Sequence, residues 1–517
     1  MQSPRRLPAL LLPFWMLLLT ALVPARAEKP APVGLLENRW YVMLVEGKPS
    51  GWMNESVTVS EQKEITSISR SKLSMKRGAV TIVIENESRF KETHDGKPIS
   101  VVTLATTGSV QVRQTMTFTE KEIEIVSVQG KQTTRSTAPL PKGPWLTPAA
   151  ASRYVLEQLK KGEKEISFTT MEPSTDLSPL KIKMKVTGKE DIEVLGKVVP
   201  SISVETTFSN LPGITSKQYI DDNGRLLKMT LTPMPGFAIT ALLADEALAM
   251  AQVDPPEVLA STLIEMKTPI KDARNLKSAV FELTFKPSPQ DKDNVKLAIP
   301  DLPKVGFQRI VWGDDRTARV IVDLSEPVAP GDDLPKKEHR TASAVLNSDD
   351  PKIKELVESA LKKEPENLGD LEKAQVLREF VYRYIRKKDL SVGFAHASEV
   401  ARTRQGDCTE HGVLLAAMLR SAGIPSRAVS GLIYIDFFEG KKNVFGYHMW
   451  AQAWIKDEKT GGHWVDVDAT LPQPGFDAAH ITLSVSAMAD GASNDMVQLV
   501  PIIGRLDIKV IETKGKK

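Results

Sequence analysis

Arg404-Gln405-Gly406-Asp407-Cys408-Thr409-Glu410-His411 holds the only cysteine among 517 residues, and an apolar run from Val413 to Leu419 follows at once. An acidic residue just before such a run is a helix N-cap, supplied here by Asp407 or a neighbour. The stretch therefore predicts a buried helix with a thiol in its first turn. A helix N-terminus favours negative charge, and with an imidazolium beside it a thiol near 8.5 can fall by several units. A single cysteine also precludes any disulfide within one molecule. Cys408 is thus a candidate nucleophile, set against the plain alternative of a small buried hydrophobe.

Working outward, the period is helical from Asn347 onward. Asp350-Pro351 reads as an N-cap with proline at the first helical position, followed by Ile353, Leu356, Val357, Ala360 and Leu361 on one face. Asp370 opens a second helix with Leu371, Ala374, Leu377, Phe380, Val381, Tyr384 and Ile385, and Ser398 to Thr403 a third. The Cys408 helix ends at Gly423, before Ile424-Pro425. Strands are expected at 427–435, 447–455 and 463–467, which makes an α+β arrangement.

The imidazole must come from elsewhere in the fold. Gly446-Tyr447-His448-Met449-Trp450-Ala451 offers His448 on a strand, as general base. A third group must fix its tautomer, and Trp464-Val465-Asp466-Val467-Asp468-Ala469-Thr470 offers two carboxylates. They are two residues apart, so periodicity alone does not choose between them. A metal site built from Cys408, His411, His448 and Asp468 lacks any C-x-x-C pair to support it. His411 is expected to pack beside the thiol, and His463 and His480 to lie at the surface. Trp450, Trp454 and Trp464 are at least as suited to a core as to a cleft wall, and Arg420 and Arg427 to structural roles.

Gly406-Asp407-Cys408, Leu419 to Arg427, His448-Met449-Trp450 and Trp464 to Thr470 together resemble the transglutaminase-like superfamily, in its order and at compatible spacings. The resemblance spans about residues 345–480. It implies a papain-like fold and a Cys-His-Asp triad, with Cys408 as nucleophile, His448 as base and Asp468 as third member. Asp468 here precedes Ala469-Thr470 instead of the usual Pro-Thr, which keeps Asp466 in reserve. The implied chemistry is acyl transfer at an amide and calls for no cofactor and no metal. The Cys408 backbone N–H and the Gln405 side chain are the candidate oxyanion donors.

Ahead of this core the pattern is mostly period two. Runs such as 40–45, 80–84, 110–118 and 182–186, with a hairpin signal at Asn223-Gly224, predict a β-rich antiparallel N-terminal domain over residues 28–252. One helix interrupts it near Pro148 to Lys160, and Phe237 to Gln252 reads as another. A second small β-rich domain is expected over 257–330, a linker over 331–346, and the catalytic domain over 347–517.

Residues 1–27 read as a signal peptide: Arg5 and Arg6, an apolar run from Leu7 to Val23, then Ala25-Arg26-Ala27 before Glu28. Its removal takes three arginines and leaves basic side chains equal to the 65 acidic ones. Such neutrality offers no footprint for nucleic acid. No later segment is long enough to anchor the chain in a membrane. The expected protein is therefore periplasmic or secreted, with a protein or peptide substrate that includes cell-envelope material. Peptide or isopeptide hydrolysis is slightly preferred over transamidation cross-linking. The alternative is a non-catalytic envelope-binding scaffold with an inactive core.

Overall fold

The computed structural model describes residues 33–515 apart from 78–79, 108–109, 130–131, 173–175, 210–213, 235–236, 259–261, 288–298, 344, 389–394, 458–460, 490–498 and 500–501. The expected signal peptide lies outside the described residues. The chain divides into two compact units at Val258.

The first unit is a 14-stranded antiparallel sheet. Strands from Gly34–Val45 to Gln132–Pro139 form a meander, the helix Pro148–Lys160 intervenes, and strands from Glu165–Glu172 to Phe237–Ala244 follow. The first hairpin turns at Glu46-Gly47, both with positive φ, which matches the twist of the flanking strands. The interrupting helix has the predicted bounds. Its first turn is anchored by Glu92, a fully buried carboxylate that accepts from Thr147 Oγ1 (2.7 Å) and the Ala149 N–H (3.1 Å).

The expectation of a helix over Phe237 to Gln252 is corrected. Phe237–Ala244 is a strand, and only Glu246–Ala249 is helical. Phe237, Ile239 and Ala241 alternate into the core, and the strand pairs with both Gly34–Val45 and Leu226–Met234. This pairing joins the two halves of the sheet. A short apolar run suits helix or strand equally, and here non-local partners decide.

The second unit opens on the segment expected to be a separate small domain. Ile264–Glu265 pairs with Lys441–Ile455, and Leu276–Phe285 lies between Thr317–Asp323 and the distant Leu506–Gly515. Residues of the 257–330 stretch are therefore built into the C-terminal unit. The expected linker is tied in as well: Asp333 takes both terminal nitrogens of Arg427 at 2.8 Å, and its carbonyl accepts from Trp464 Nε1 at 2.8 Å.

A second sheet carries the His448 and Asp466 segments of the C-terminal half. Ser426–Phe438 runs between Lys441–Ile455 and His480–Ser486, and His463–Val467 adds to the far side of Lys441–Ile455. The helix Cys408–Ser421 is buried on every side from Glu410 to Arg420 and packs on this sheet. Gly412 allows the close approach, since a Cβ there would lie 3.2 Å from Met449 Cγ and 3.5 Å from the Trp450 carbonyl.

Trp450, fully buried, fits only because residue 431 has no side chain: a Cβ there would meet the Ile481 carbonyl oxygen at 2.2 Å and the Trp450 ring at 2.5 Å. Gly431→Ala is expected to destabilise the C-terminal unit by about 2–3 kcal/mol through overpacking. Urea unfolding followed by tryptophan fluorescence measures it, and an unchanged midpoint would show that the strand yields.

Candidate functional site

The thiol-bearing helix is fixed at its start by reciprocal capping. Asp407 Oδ1 accepts from the Thr409 N–H (2.9 Å) and Thr409 Oγ1 (2.8 Å), while Glu410 Oε2 accepts from the Asp407 N–H (2.9 Å). Gly406 is obligatory here: its φ is +143°, and a Cβ would come within 2.3 Å of the Glu410 side chain. Glu410 Oε1 accepts from the Ala395 N–H at 3.0 Å. Burial, with the Asp407 charge added, pushes the Glu410 carboxyl up to about 8.

Cys408 is the first residue of this helix and, like Thr409, is part-exposed, while Glu410 to Arg420 are buried. It stands one turn before Gly412, on the same helical face, and Gly412 lies against residues 449–450. His411 is neutral, its pKa lowered to about 4 by burial. Its Nδ1 lies 2.6 Å from the Asp407 carbonyl, and its Nε2 has no hydrogen-bond partner among the described residues.

His448 pairs with Gly431 on the neighbouring strand, and its Nε2 lies 2.8 Å from Asp468 Oδ2. With Nε2 donating to the carboxylate, Nδ1 is the ring nitrogen left for proton exchange. Asp468 is wholly buried just beyond the strand His463–Val467. Its other oxygen, Oδ1, accepts from the N–H and the hydroxyl of Thr470, both at 2.7 Å. Burial alone would raise this carboxyl, but the His448 and His480 rings hold it well below the usual carboxylate range.

Of the two carboxylates that periodicity left open, Asp468 is the one hydrogen-bonded to His448. Asp466 is turned to other work: its Oδ1 accepts from Trp450 Nε1 (2.7 Å) and Gln452 Nε2 (2.8 Å). Burial raises its pKa. Gln452 in turn accepts from Arg427 Nε at 2.8 Å, so Arg427 is structural, as is Arg420, which donates to the carbonyls of Thr341, Ser426 and Ala487. Trp450, Trp454 and Trp464 are core residues. Gln405 is half-buried, in a bridge to Lys387.

Two site residues escaped the sequence reading. Thr470 holds Asp468, and its place two residues on in Asp468-Ala469-Thr470 is a local signal for such a turn. His480, expected at the surface, is fully buried beside Asp468, with its Nε2 3.3 Å from Asp468 Oδ2. No spacing in the sequence marks it.

The nearest donor atoms of His448, Asp468 and His480 all lie within 4.8 Å of one another. The 2.8 Å contact is a hydrogen bond, shorter than the roughly 3.3 Å between ligands about 2.0 Å from a tetrahedral ion. The three side chains thus satisfy one another as donors and acceptors.

Comparison with known proteins bears on the same residues. The transglutaminase-like superfamily model matches residues 354–469, which contain Cys408, His448 and Asp468. No curated protein matches the sequence. Among solved structures, a β-barrel-like protein of a domain of unknown function from Brucella abortus is 13% identical, covering 42% of this chain and 98% of its own, at TM-score 0.32. A provisionally assigned cysteine protease from Cytophaga hutchinsonii is 16% identical, with coverages of 47% and 86% and TM-score 0.25. A provisionally assigned protease from Parabacteroides distasonis is 10% identical, with coverages of 72% and 69% and TM-score 0.17. Scores this low do not by themselves establish a shared fold.

The buried charges give the C-terminal unit a pH signature. The pKa of His480 is raised to about 9, above the ~6.5 of an unfolded histidine. Its contribution is therefore full below pH 6.5 and lost as pH rises through 9. Glu410, raised to about 8, acts in the same direction, because ionising it in place costs stability. The unit is expected to lose on the order of 3 kcal/mol between pH 6.5 and 9. Urea midpoints across that range check this, and a flat profile would contradict it.

Proposed function

We propose that the transglutaminase-like domain matched at residues 354–469 belongs to an exported thiol enzyme that performs acyl transfer at amide bonds of protein or peptide substrates. The single observation that carries this reading is the buried hydrogen bond from His448 Nε2 to Asp468. It fixes the tautomer and leaves Nδ1 to serve a nucleophile, and the cysteine starts a helix packed on the same strand. Export is supported by the signal-like residues 1–27.

In this mechanism Cys408, as thiolate, attacks the amide carbonyl carbon through Sγ. The carbonyl π electrons move to oxygen, and the resulting oxyanion is met by the Cys408 backbone N–H, with the Gln405 side chain as a second donor. His448, as imidazolium, gives its Nδ1 proton to the departing amine while the C–N bond breaks, leaving a thioester. His448 then takes a proton from water, the hydroxyl adds to the thioester carbon, and Cys408 departs as thiolate. An amine in place of water completes transamidation with the same residues. Hydrolysis is the preferred outcome. Asp468 holds the ring throughout and stabilises its charge, as third members of such triads do.

Iodoacetamide alkylation across pH, read by intact mass, tests the reading without a known substrate, because the single thiol makes the labelled site unambiguous. Cys408 is expected to react fast already near pH 6, and His448→Ala to lose that reactivity. A rate rising only around pH 8.5, or a thiol that never reacts in the folded chain, would favour an inactive scaffold. On peptide amides, Cys408→Ala is expected to reduce turnover at least a thousandfold. Product masses then tell hydrolysis from amine incorporation.

A further inference from the structure

The triad reading gives Asp468 one partner, yet the carboxylate has two imidazoles on the same oxygen. His480 Nε2 lies 3.3 Å from Asp468 Oδ2, the atom that already takes His448 Nε2. The other ring nitrogen of His480, Nδ1, lies 3.0 Å from the Asp477 carbonyl and 3.2 Å from Asp477 Oδ1. Both nitrogens thus face atoms that can only accept. A neutral imidazole has one N–H and would set a lone pair against an acceptor, so the arrangement is satisfied only by the doubly protonated ring. Asp477 is fixed from behind by Arg274 Nη1 at 3.0 Å and by the Ala479 N–H at 2.8 Å. Charges therefore alternate along Asp468, His480, Asp477 and Arg274.

The surroundings suit a permanent cation. Phe476 lies 4.3 Å from the His480 ring, centroid to centroid, and Trp450 meets it edge-on at 5.3 Å. Burial alone would favour the neutral ring, but the Asp477 charge and the hydrogen bonds to Asp468 and Asp477 outweigh it. The other ionisable groups that bear on this pair are His448, its ring 6.0 Å from that of His480, and Asp466, with His411, Lys388 and Arg378 acting on Asp468.

We propose that His480 is a positioning residue: a buried imidazolium that holds Asp468 at the same oxygen as His448 and sets the pH range over which Cys408 reacts. The proposal rests on the thiol-enzyme reading and goes beyond it. A positive ring on Asp468 Oδ2 divides the hold of that carboxylate between two donors and favours the thiolate of Cys408. Losing the charge at 480 therefore moves the reactivity of Cys408 to higher pH.

The test uses the full-length chain labelled with 15N-histidine, alongside His480→Gln and Asp477→Asn. In the parent, the His480 ring, assigned as the signal lost in His480→Gln, is expected to keep both nitrogens protonated from pH 5 to 8. That variant retains an amide donor but not the charge. In the same variant, the alkylation profile of Cys408 is expected to move to higher pH by about one unit. Asp477→Asn, which removes the second anion, is expected to bring the His480 titration down by about one unit or more, and it serves if His480→Gln does not fold. A His480 ring that is neutral in the parent at pH 7 would overturn the proposal. So would folded His480→Gln with the parent's Cys408 alkylation profile. Failure of the thiol-enzyme reading looks different: a parent thiol inert near pH 6, whatever the histidine spectrum shows.

Discussion

A carboxylate with no exposure to water must be surrounded by donors or give up its charge, and Asp468 is such a group. Its four hydrogen bonds come from Thr470, twice, and from two histidines on two different strands. Much of the C-terminal unit follows from that requirement. The strand carrying His448 must lie beside the turn after residue 467, and the strand opened by His480 must reach the same point. Trp450 and Phe476 then seal the pocket against water that would otherwise compete for the carboxylate.

The same enclosure explains the neighbouring helix. Covered from Glu410 to Arg420, it can be neither rotated nor shifted without opening the core, so its first turn is held in place. Reciprocal capping by Asp407 and Glu410 removes the fraying to which helix ends are prone. Thiol and imidazole are thereby supplied by two rigid elements instead of loops.

What the sequence made legible was local. Caps, the proline at a helix start and the apolar face after Cys408 predicted the helices at 351–361, 370–384 and 408–421 to within a residue or two. Leu371, placed on the buried face of the second of these, is exposed. His448 and Asp468 were readable because a motif surrounds each. What stayed hidden was non-local. Phe237–Ala244 is a strand because Gly34–Val45 and Leu226–Met234 flank it, and 276–285 joins the C-terminal unit by pairing with the distant Leu506–Gly515 and by packing Phe281 on Phe445. Asp333 looked like linker because its partner, Arg427, lies far along the chain. His480 follows Ala478-Ala479 with no periodicity to mark it, and only the fold reveals that two carboxylates enclose it.

The pairing of Leu276–Phe285 with Leu506–Gly515 has a consequence in time as well as in space. During synthesis the earlier strand emerges long before its mate, and one side of it stays open while the thiol, the imidazole and their supporting strands are made. A sheet edge left open is a template for wrong pairing. The order of elements therefore makes the nascent chain depend on protection of residues 276–285 until residue 515 has appeared. The four-stranded sheet beside the reactive unit is thus finished last.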